Sequence, residues 1–463
     1  MGFKRKIMSE LLRWKNSKIA GKNHEALIIK GLRQVGKTYI AKQFGEENYE
    51  NIVYMNFKMQ PEIKNAFLED LRVDSIMTAL SLYLPPFHLV PGKTLLIMDE
   101  IQECPNARSS LRSFVLDQRY DVLATGSLLG IKGYNRTPGQ GPSVGQESIL
   151  TMTSMDFEEF LWAKGVNETI LNLLQKSYEN RTSIPLAIHT ALLGYYREYL
   201  VVGGMPEAVQ IYVNTHDIAR VILFQKEIIT QYSHDVSQYV ESNSDKQKIK
   251  AIYEAIPSQL NDKNRRFYVN ALDKYAKLNR YENSFKWLSD AGVALPCYNV
   301  TVPQSPLKLN EKHSLFKLFM GDIGLLCASC MENVQFSILN GDLEINMGSI
   351  LENAMAQQLQ SNGFELYYYD SSKLGEVDFV VQSGTGVELL EIKSGKDYRK
   401  HKALNNVLSV SEWKFRKATV LCKDNIQAES DIIYLPWYMI MFIKPSQLPK
   451  EMIYEVDLDS LYL

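Results

Sequence analysis

GLRQVGKT, Gly31 to Thr38, lies between ALIIK and YIAKQFGEE. The spacing G-x-x-x-x-G-K-T is that of a loop that wraps phosphate groups. ALIIK reads as a strand and YIAKQFGEE as a helix, which is the order such a loop requires. Gly31 and Gly36 let the backbone curl so that successive N–H groups face an anion. The helix that begins at Lys37 and Thr38 turns its positive end the same way. Gly31, Leu32, Arg33, Gln34, Val35, Gly36, Lys37, Thr38 and Tyr39 are therefore the candidate nucleotide-binding segment. Lys37 would reach the β- and γ-phosphates of ATP, and Thr38 would hold Mg²⁺.

A second element supports the first. TLLIMDE, Thr94 to Glu100, is a buried-type strand with two carboxylates at its C-terminal end. Asp99 would hold Mg²⁺ through water, and Glu100 would polarise the attacking water. A further strand, DVLATGS, ends in Thr125 and Ser127, whose hydroxyls are candidates for sensing the γ-phosphate. The apolar runs Ala26–Ile29, Ile52–Phe57, Thr94–Met98 and Val122–Ala124 are separated by helix-length segments. That alternation implies an α/β unit with a parallel sheet and crossover helices.

With GLRQVGKT, MDEIQ, TGSLLG, MDFEEFLWA and GGMPEAV on the page, together with SLFKLFMGDIGLL and GSILENAMAQQL, the chain resembles the prokaryotic AAA+-type P-loop ATPases that carry a C-terminal domain of unknown function called DUF4143. The resemblance covers nearly the whole chain. It implies an ATPase with Lys37, Thr38, Asp99 and Glu100 in the usual roles. It also implies assembly of like subunits. No arginine finger is evident: Gln146 stands where related sequences often have a basic residue, and Arg119 and Arg136 are candidates by position only. A neighbouring subunit is the other source.

The expected organisation is a P-loop core at 1–165, a helical lid at 166–245, a winged helix-turn-helix at 246–330, and an α/β nuclease-like domain at 331–463. The third unit is read from KQKIKAIYEAIPSQL, VNALDKYAKL and YENSFKWLSDAG as three helices, followed by a hairpin through VALPCYNVTV. Lys263, Arg265, Arg266, Lys274, Lys277, Arg280 and Lys286 make it a candidate DNA or RNA contact, diluted by Asp262, Asp273, Glu282 and Asp290. A protein-binding or nucleotide-lid role is the alternative.

The last unit carries a second constellation. GEVDFVVQSGTGVELLEIKSG places Asp378 on one strand and Glu391 and Lys393 on the next, with Glu352 on the helix GSILENAMAQQLQ. Glu352, Asp378, Glu391 and Lys393 fit the PD-(D/E)-x-K nuclease pattern. Strand alternation puts Glu391 and Lys393 on one face. The three carboxylates would bind a second Mg²⁺ or Mn²⁺, and Lys393 would stabilise the transition state. Plainer readings exist: a capping box at Ser349–Glu352, a cross-strand pair, a hairpin cap. Nuclease activity is open, since inactive proteins share the fold. Lys396, Arg399, Lys400 and Lys402 are candidate phosphate contacts. A nucleotide switch that controls protein partners, with an inactive C-terminal domain, is the rival function.

The 463 residues carry a net charge of −2, so any nucleic-acid surface is local. The five cysteines suggest a reducing compartment, and Cys327 and Cys330 lack the partners of a zinc site. No apolar run is long enough for a membrane span, and the basic N-terminus is not followed by a secretory apolar segment. The cytoplasm is the expected place.

Overall fold

A computed structural model describes residues 2–17, 24–127, 145–239, 242–261, 265–330, 335–341, 347–429 and 431–446. The first unit opens with helix α1 (Ile7–Asn16), which buries Leu11 and Trp14. Then come β1 (Ala26–Gly31), α2 (Lys37–Asn48), β2 (Asn51–Asn56), α3 (Val73–Leu80), β3 (Thr94–Asp99), α4 (Pro105–Asp117), β4 (Asp121–Ser127) and β5 (Glu147–Met152). The five strands form one sheet in the order β2-β3-β4-β1-β5, all parallel. Strands β3 and β4 are buried along their whole length, as expected where helices cover both faces. Placing β4 between β1 and β3 brings Gly31, Asp99 and Ser127 to one edge of the sheet.

A helical stretch follows: α5 (Phe157–Ala163), α6 (Glu168–Asn180), α7 (Leu186–Val202), α8 (Pro206–Thr215), α9 (Ile218–Tyr239) and α10 (Asn243–Leu260). The expected second helix of the helix-turn-helix, VNALDKYAKL, is instead two single 3₁₀ turns at Val269–Ala271 and Leu278–Arg280. Asp273 explains part of this. Its carboxylate accepts the Tyr275 N–H at 3.0 Å, a local bond that competes with the helix ladder. Helix α11 (Glu282–Asp290) does form.

The hairpin of β6 (Ala294–Val300) and β7 (Glu311–Met320) is no separate wing. After α12 (Ile323–Cys330), α13 (Gln335–Asn340) and α14 (Met347–Ser361), the chain lays down β8 (Tyr367–Ser371), β9 (Gly375–Ser383) and β10 (Gly386–Ile392). It continues through α15 (Lys402–Leu408), β11 (Lys417–Cys422), β12 (Gln427–Glu429) and β13 (Ile432–Pro436). All eight later strands form one mixed sheet, β12-β13-β11-β10-β9-β8-β6-β7, in which β6 pairs in parallel with β8.

One apolar core joins the units. It runs from Leu11 and Ile29 through Tyr199 and Leu200 to Leu390 and Tyr438. Two smaller clusters cover the other face of each sheet. The seam between units is polar and tight. Gly204 N–H donates to Asp322 at 2.8 Å, and Met155 N–H donates to the Gly204 carbonyl at 2.7 Å. A Cβ on Gly204 would lie 2.0 Å from the Met155 carbonyl oxygen, so only glycine permits this approach. Cys327 is buried with its thiol on the Leu200 carbonyl, whereas Cys330 is exposed; all five cysteines are free. Among the described residues, no helix is long and apolar enough to cross a membrane.

Candidate nucleotide site and C-terminal carboxylate cluster

The phosphate loop has the local geometry its sequence demands. Gly36 stands at φ 92° as the residue before α2, a left-handed position that glycine takes at no steric cost. A Cβ on Gly31 would lie 2.0 Å from the Met152 carbonyl oxygen, because β5 passes directly alongside. Gln34 is also left-handed, at φ 63°, and its amide donates to Gln231 of α9. Tyr232 of α9 donates to the Arg33 carbonyl at 3.3 Å. Tyr39 is exposed on α2.

Lys37 is buried, and its ammonium donates to the carbonyls of Gly31 (3.2 Å) and Leu32 (2.7 Å). Burial pulls its pKa down to about 8; the charges of Glu100 and Asp99 oppose that shift, and Arg33 adds to it. Asp99 is 1% exposed and accepts from four neutral donors. Thr38 Oγ1 is 3.0 Å from both carboxylate oxygens, Tyr54 donates at 2.7 Å, Asn56 at 2.8 Å, and Thr125 also donates. Burial, with its bond to Asp99, pushes Tyr54 up to about 12. Glu100 sits beyond the strand end at φ 54° and accepts from Gln102. Ser127 Oγ is buried with no hydrogen-bond partner among the described residues.

Arg5 is a participant that the sequence reading passes over. It is buried. Its guanidinium donates to the carbonyls of Val35 in the loop and Thr153 after β5, each at 2.8 Å, and lies 3.1 Å from Glu159. Glu159 and Asp156 form a reciprocal capping box at the start of α5. Lys6 N–H donates to Glu159 at 2.6 Å, and Lys6 Nζ pairs with Asp156 and Glu158. The N-terminal segment thus clamps the phosphate loop to α5. Tyr54 and Asn56, on β2, were equally hard to foresee: only the neighbouring register Asn56↔Asp99 brings them to the carboxylate.

In the C-terminal unit, Glu352 comes from α14, Asp378 from β9 and Glu391 from β10. Among the described residues, no group of three histidine, cysteine or acidic side chains is arranged to hold a metal ion. The three carboxylates expected to share a second Mg²⁺ or Mn²⁺ are drawn into ion pairs. Cations of the chain itself hold these carboxylates. Arg265 pairs with Glu352 and stands 3.9 Å from Asp378. Lys317, 0% exposed in the middle of β7, reaches Glu352 at 3.3 Å and Glu376 at 2.6 Å. Lys393 donates to Glu391 at 2.6 Å, and Ile392 N–H donates to Asp378 at 2.7 Å. Burial, and then the charge of Asp378, raise Glu391 to about 8. The capping-box reading of Ser349 fails too, because Ser349 is the third residue of a helix that begins at Met347; its hydroxyl donates to the Leu260 carbonyl.

The AAA domain family matches residues 23–161, a domain of unknown function (DUF8612) matches 193–335, and the domain of unknown function DUF4143 matches 347–440. The chain carries an AAA-type P-loop domain and a C-terminal DUF4143 domain. No curated protein matches it. Among solved structures, it is similar to a Walker-type ATPase of Pyrococcus abyssi at 12% identity and TM-score 0.43, over 71% of this chain and 96% of that one. The Aeropyrum pernix ORC1 protein in complex with DNA matches at 12% identity and TM-score 0.26, over 71% and 93%. The Thermotoga maritima RuvB Holliday junction branch migration motor matches at 13% identity and TM-score 0.28, over 66% and 91%.

In this AAA-type P-loop protein the DUF8612 match spans both the helical stretch and the β6–β7 hairpin, which the sequence reading divides at 245/246. Arg119 precedes β4 and so stands at the edge of the sheet away from the phosphate loop. There it pairs with Asp74 at 2.6 Å and Asp117 at 2.7 Å, which removes it as an in-chain finger. Arg136, Asp262 and Lys263 lie outside the described residues. Arg399 pairs with Glu429 and Lys400 with Asp397, so two expected phosphate contacts already have partners.

Proposed function

We propose that the chain binds and hydrolyses ATP with Mg²⁺ and passes its nucleotide state to the C-terminal unit. The observation that carries this reading is the meeting of Lys37, Thr38 and Asp99 at one sheet edge. The residues fit the metal. Asp99 is buried, with neutral donors on both oxygens and no ion pair among the described residues. A buried carboxylate without a matched charge is costly, and a divalent cation on Thr38 and Asp99 would match it. Mg²⁺, when bound, supplies positive charge to the β- and γ-phosphate oxygens. Loop N–H groups and the α2 terminus orient the phosphates. Lys37 exchanges two backbone carbonyls for phosphate oxygens. In this reading Glu100 polarises the attacking water, and Ser127 senses the γ-phosphate. The cation that an arginine finger would supply comes, in this reading, from a second copy of the chain.

For the output, the internal pairing of Arg399 and Lys400 and the cation-held carboxylates favour a switch acting on protein partners over a working nuclease. The test is twofold. Mg²⁺-dependent ATP hydrolysis should vanish in Lys37→Ala; unchanged hydrolysis there would sink the assignment. Cleavage of plasmid and single-stranded DNA or RNA with Mn²⁺ should be absent, and nucleic acid should leave the ATPase rate unchanged. Cleavage lost in Asp378→Ala would restore the nuclease reading.

A further inference from the structure

Four carboxylates gather at the β7–β9–β10 end of the second sheet: Glu352, Asp378, Glu391 and Glu376. The chain supplies three cations to them, Arg265, Lys317 and Lys393. Glu391 is 6% exposed, its Oε1 accepts from Lys393, and its Oε2 has no hydrogen-bond partner among the described residues. An unpaired buried carboxylate oxygen beside other carboxylates marks a group short of positive charge or donors.

The cations differ in how firmly they are held. Lys317 is fully buried in the middle of a paired strand, so its ammonium cannot leave while β7 stays in the sheet. Arg265 stands outside any helix or strand, at left-handed φ 48°, with its side chain 28% exposed. It enters the group beside the first turn of α14. There a Cβ on Gly348 would lie 2.7 Å from its Nη2, so the missing side chain makes room for the guanidinium.

From this we infer that Arg265 is an internal counter-cation that takes the place of a divalent metal: it closes the Glu352–Asp378–Glu391 group, and its removal exposes a Mn²⁺ site. Guanidinium and metal compete for the same oxygens. With Arg265 in place, its guanidinium holds Glu352 and stands 3.9 Å from Asp378, so a second strong cation meets oxygens already taken. With Arg265 gone, four carboxylates are left with two cations, Lys317 and Lys393. Hard divalent cations favour such a set of carboxylate oxygens.

The experiment uses the full chain without nucleotide, and Mn²⁺ as the probe. Binding is counted by electron paramagnetic resonance, and melting is followed with and without the ion. Asp378→Asn serves as the background in every case, which removes any contribution from Thr38 and Asp99. Wild type should bind no Mn²⁺ beyond that background. Arg265→Ala should melt several degrees lower in chelator, bind about one Mn²⁺ per chain, and recover its melting temperature as it does so. The double variant Arg265→Ala/Asp378→Asn should lose both effects. If Arg265→Ala does not fold, Arg265→Gln, which keeps N–H donors without the charge, should bind Mn²⁺ in the same Asp378-dependent way. Asp378-dependent Mn²⁺ binding by wild type would overturn the inference. So would a folded Arg265 variant that binds no more than wild type.

Discussion

Asp99 and Glu352 are both carboxylates at 1% exposure, and both sit where a strand or helix delivers charge to the end of a sheet. Their surroundings are opposite. Asp99 is met by the hydroxyls of Thr38, Tyr54 and Thr125 and the amide of Asn56, none of which carries charge. Glu352 is met by a guanidinium and an ammonium. Neutral donors orient a carboxylate but leave its charge to be matched from outside. Cations match it in full and close it. Sequence pattern alone cannot separate the two cases, since each is an acid at the end of an apolar run.

The comparison can be broken in several ways. The largest effect is expected at the first site: Lys37→Ala should lower the hydrolysis rate by about 10³-fold or more, on the scale of losing a preorganised charge contact to a reacting group. Steady-state phosphate release measures it. Next come the paired neutralisations. Glu352→Gln should destabilise the protein by about 3 kcal/mol, because it removes one of the two carboxylates that hold the buried Lys317 and the closest one to Arg265. Asp99→Asn should leave unfolding in urea unchanged or slightly harder, because it removes a buried charge whose hydrogen-bond donors are all neutral. Equal losses in the two variants would erase the distinction drawn here.

A smaller effect is expected at Arg5. Arg5→Ala should weaken nucleotide binding about tenfold, near 1.4 kcal/mol. Arg5→Lys should recover part of it, and calorimetric titration would show either. Then comes pH. Burial holds Lys37 at about 8 in the folded chain against 10.5 unfolded. Between those values the unfolded chain binds the proton that the folded chain has released. Stability without nucleotide should therefore rise from pH 8 to 10.5, and that gain should be lost as pH falls through 8. Lys37→Met should flatten the rise in thermal melts. The smallest effect belongs to the exposed pairs: Arg399→Ala with Lys400→Ala should shift stability by less than about 0.5 kcal/mol.

Much of the first unit was legible because its information is local. The loop, the strand that ends in Asp99 and the strand that ends in Thr125 and Ser127 announce themselves by short-range pattern. The edge strand β5 does not, because ESILTM is half-exposed and lacks the unbroken apolar run of its neighbours. In the second unit the decisive contacts are distant in sequence. Arg265 reads as a loop cation facing solvent or nucleic acid, yet it turns inward to a helix far along the chain. Lys317 reads as a stray charge within FKLFM, although a lysine inside an apolar strand already implies a buried partner. The hairpin β6–β7 reads as a wing because its pairing with β8 leaves no mark in either segment.

Helix α14 carries Glu352 six positions before Gln358, about 9 Å along its axis. Gln358 accepts from Phe157 N–H at 3.1 Å and donates to Asp156 at 3.3 Å; Gln357 donates to Ser154 at 3.0 Å and Tyr199 at 2.9 Å. Asp156 belongs to the same capping box that Arg5 ties to the phosphate loop. Mechanically, α14 is a short pushrod with a fixture at each end. A helix barely compresses, so α14 keeps Glu352 at a fixed distance from the bonds that Gln357 and Gln358 make around the start of α5. One rigid part thus spans both polar clusters.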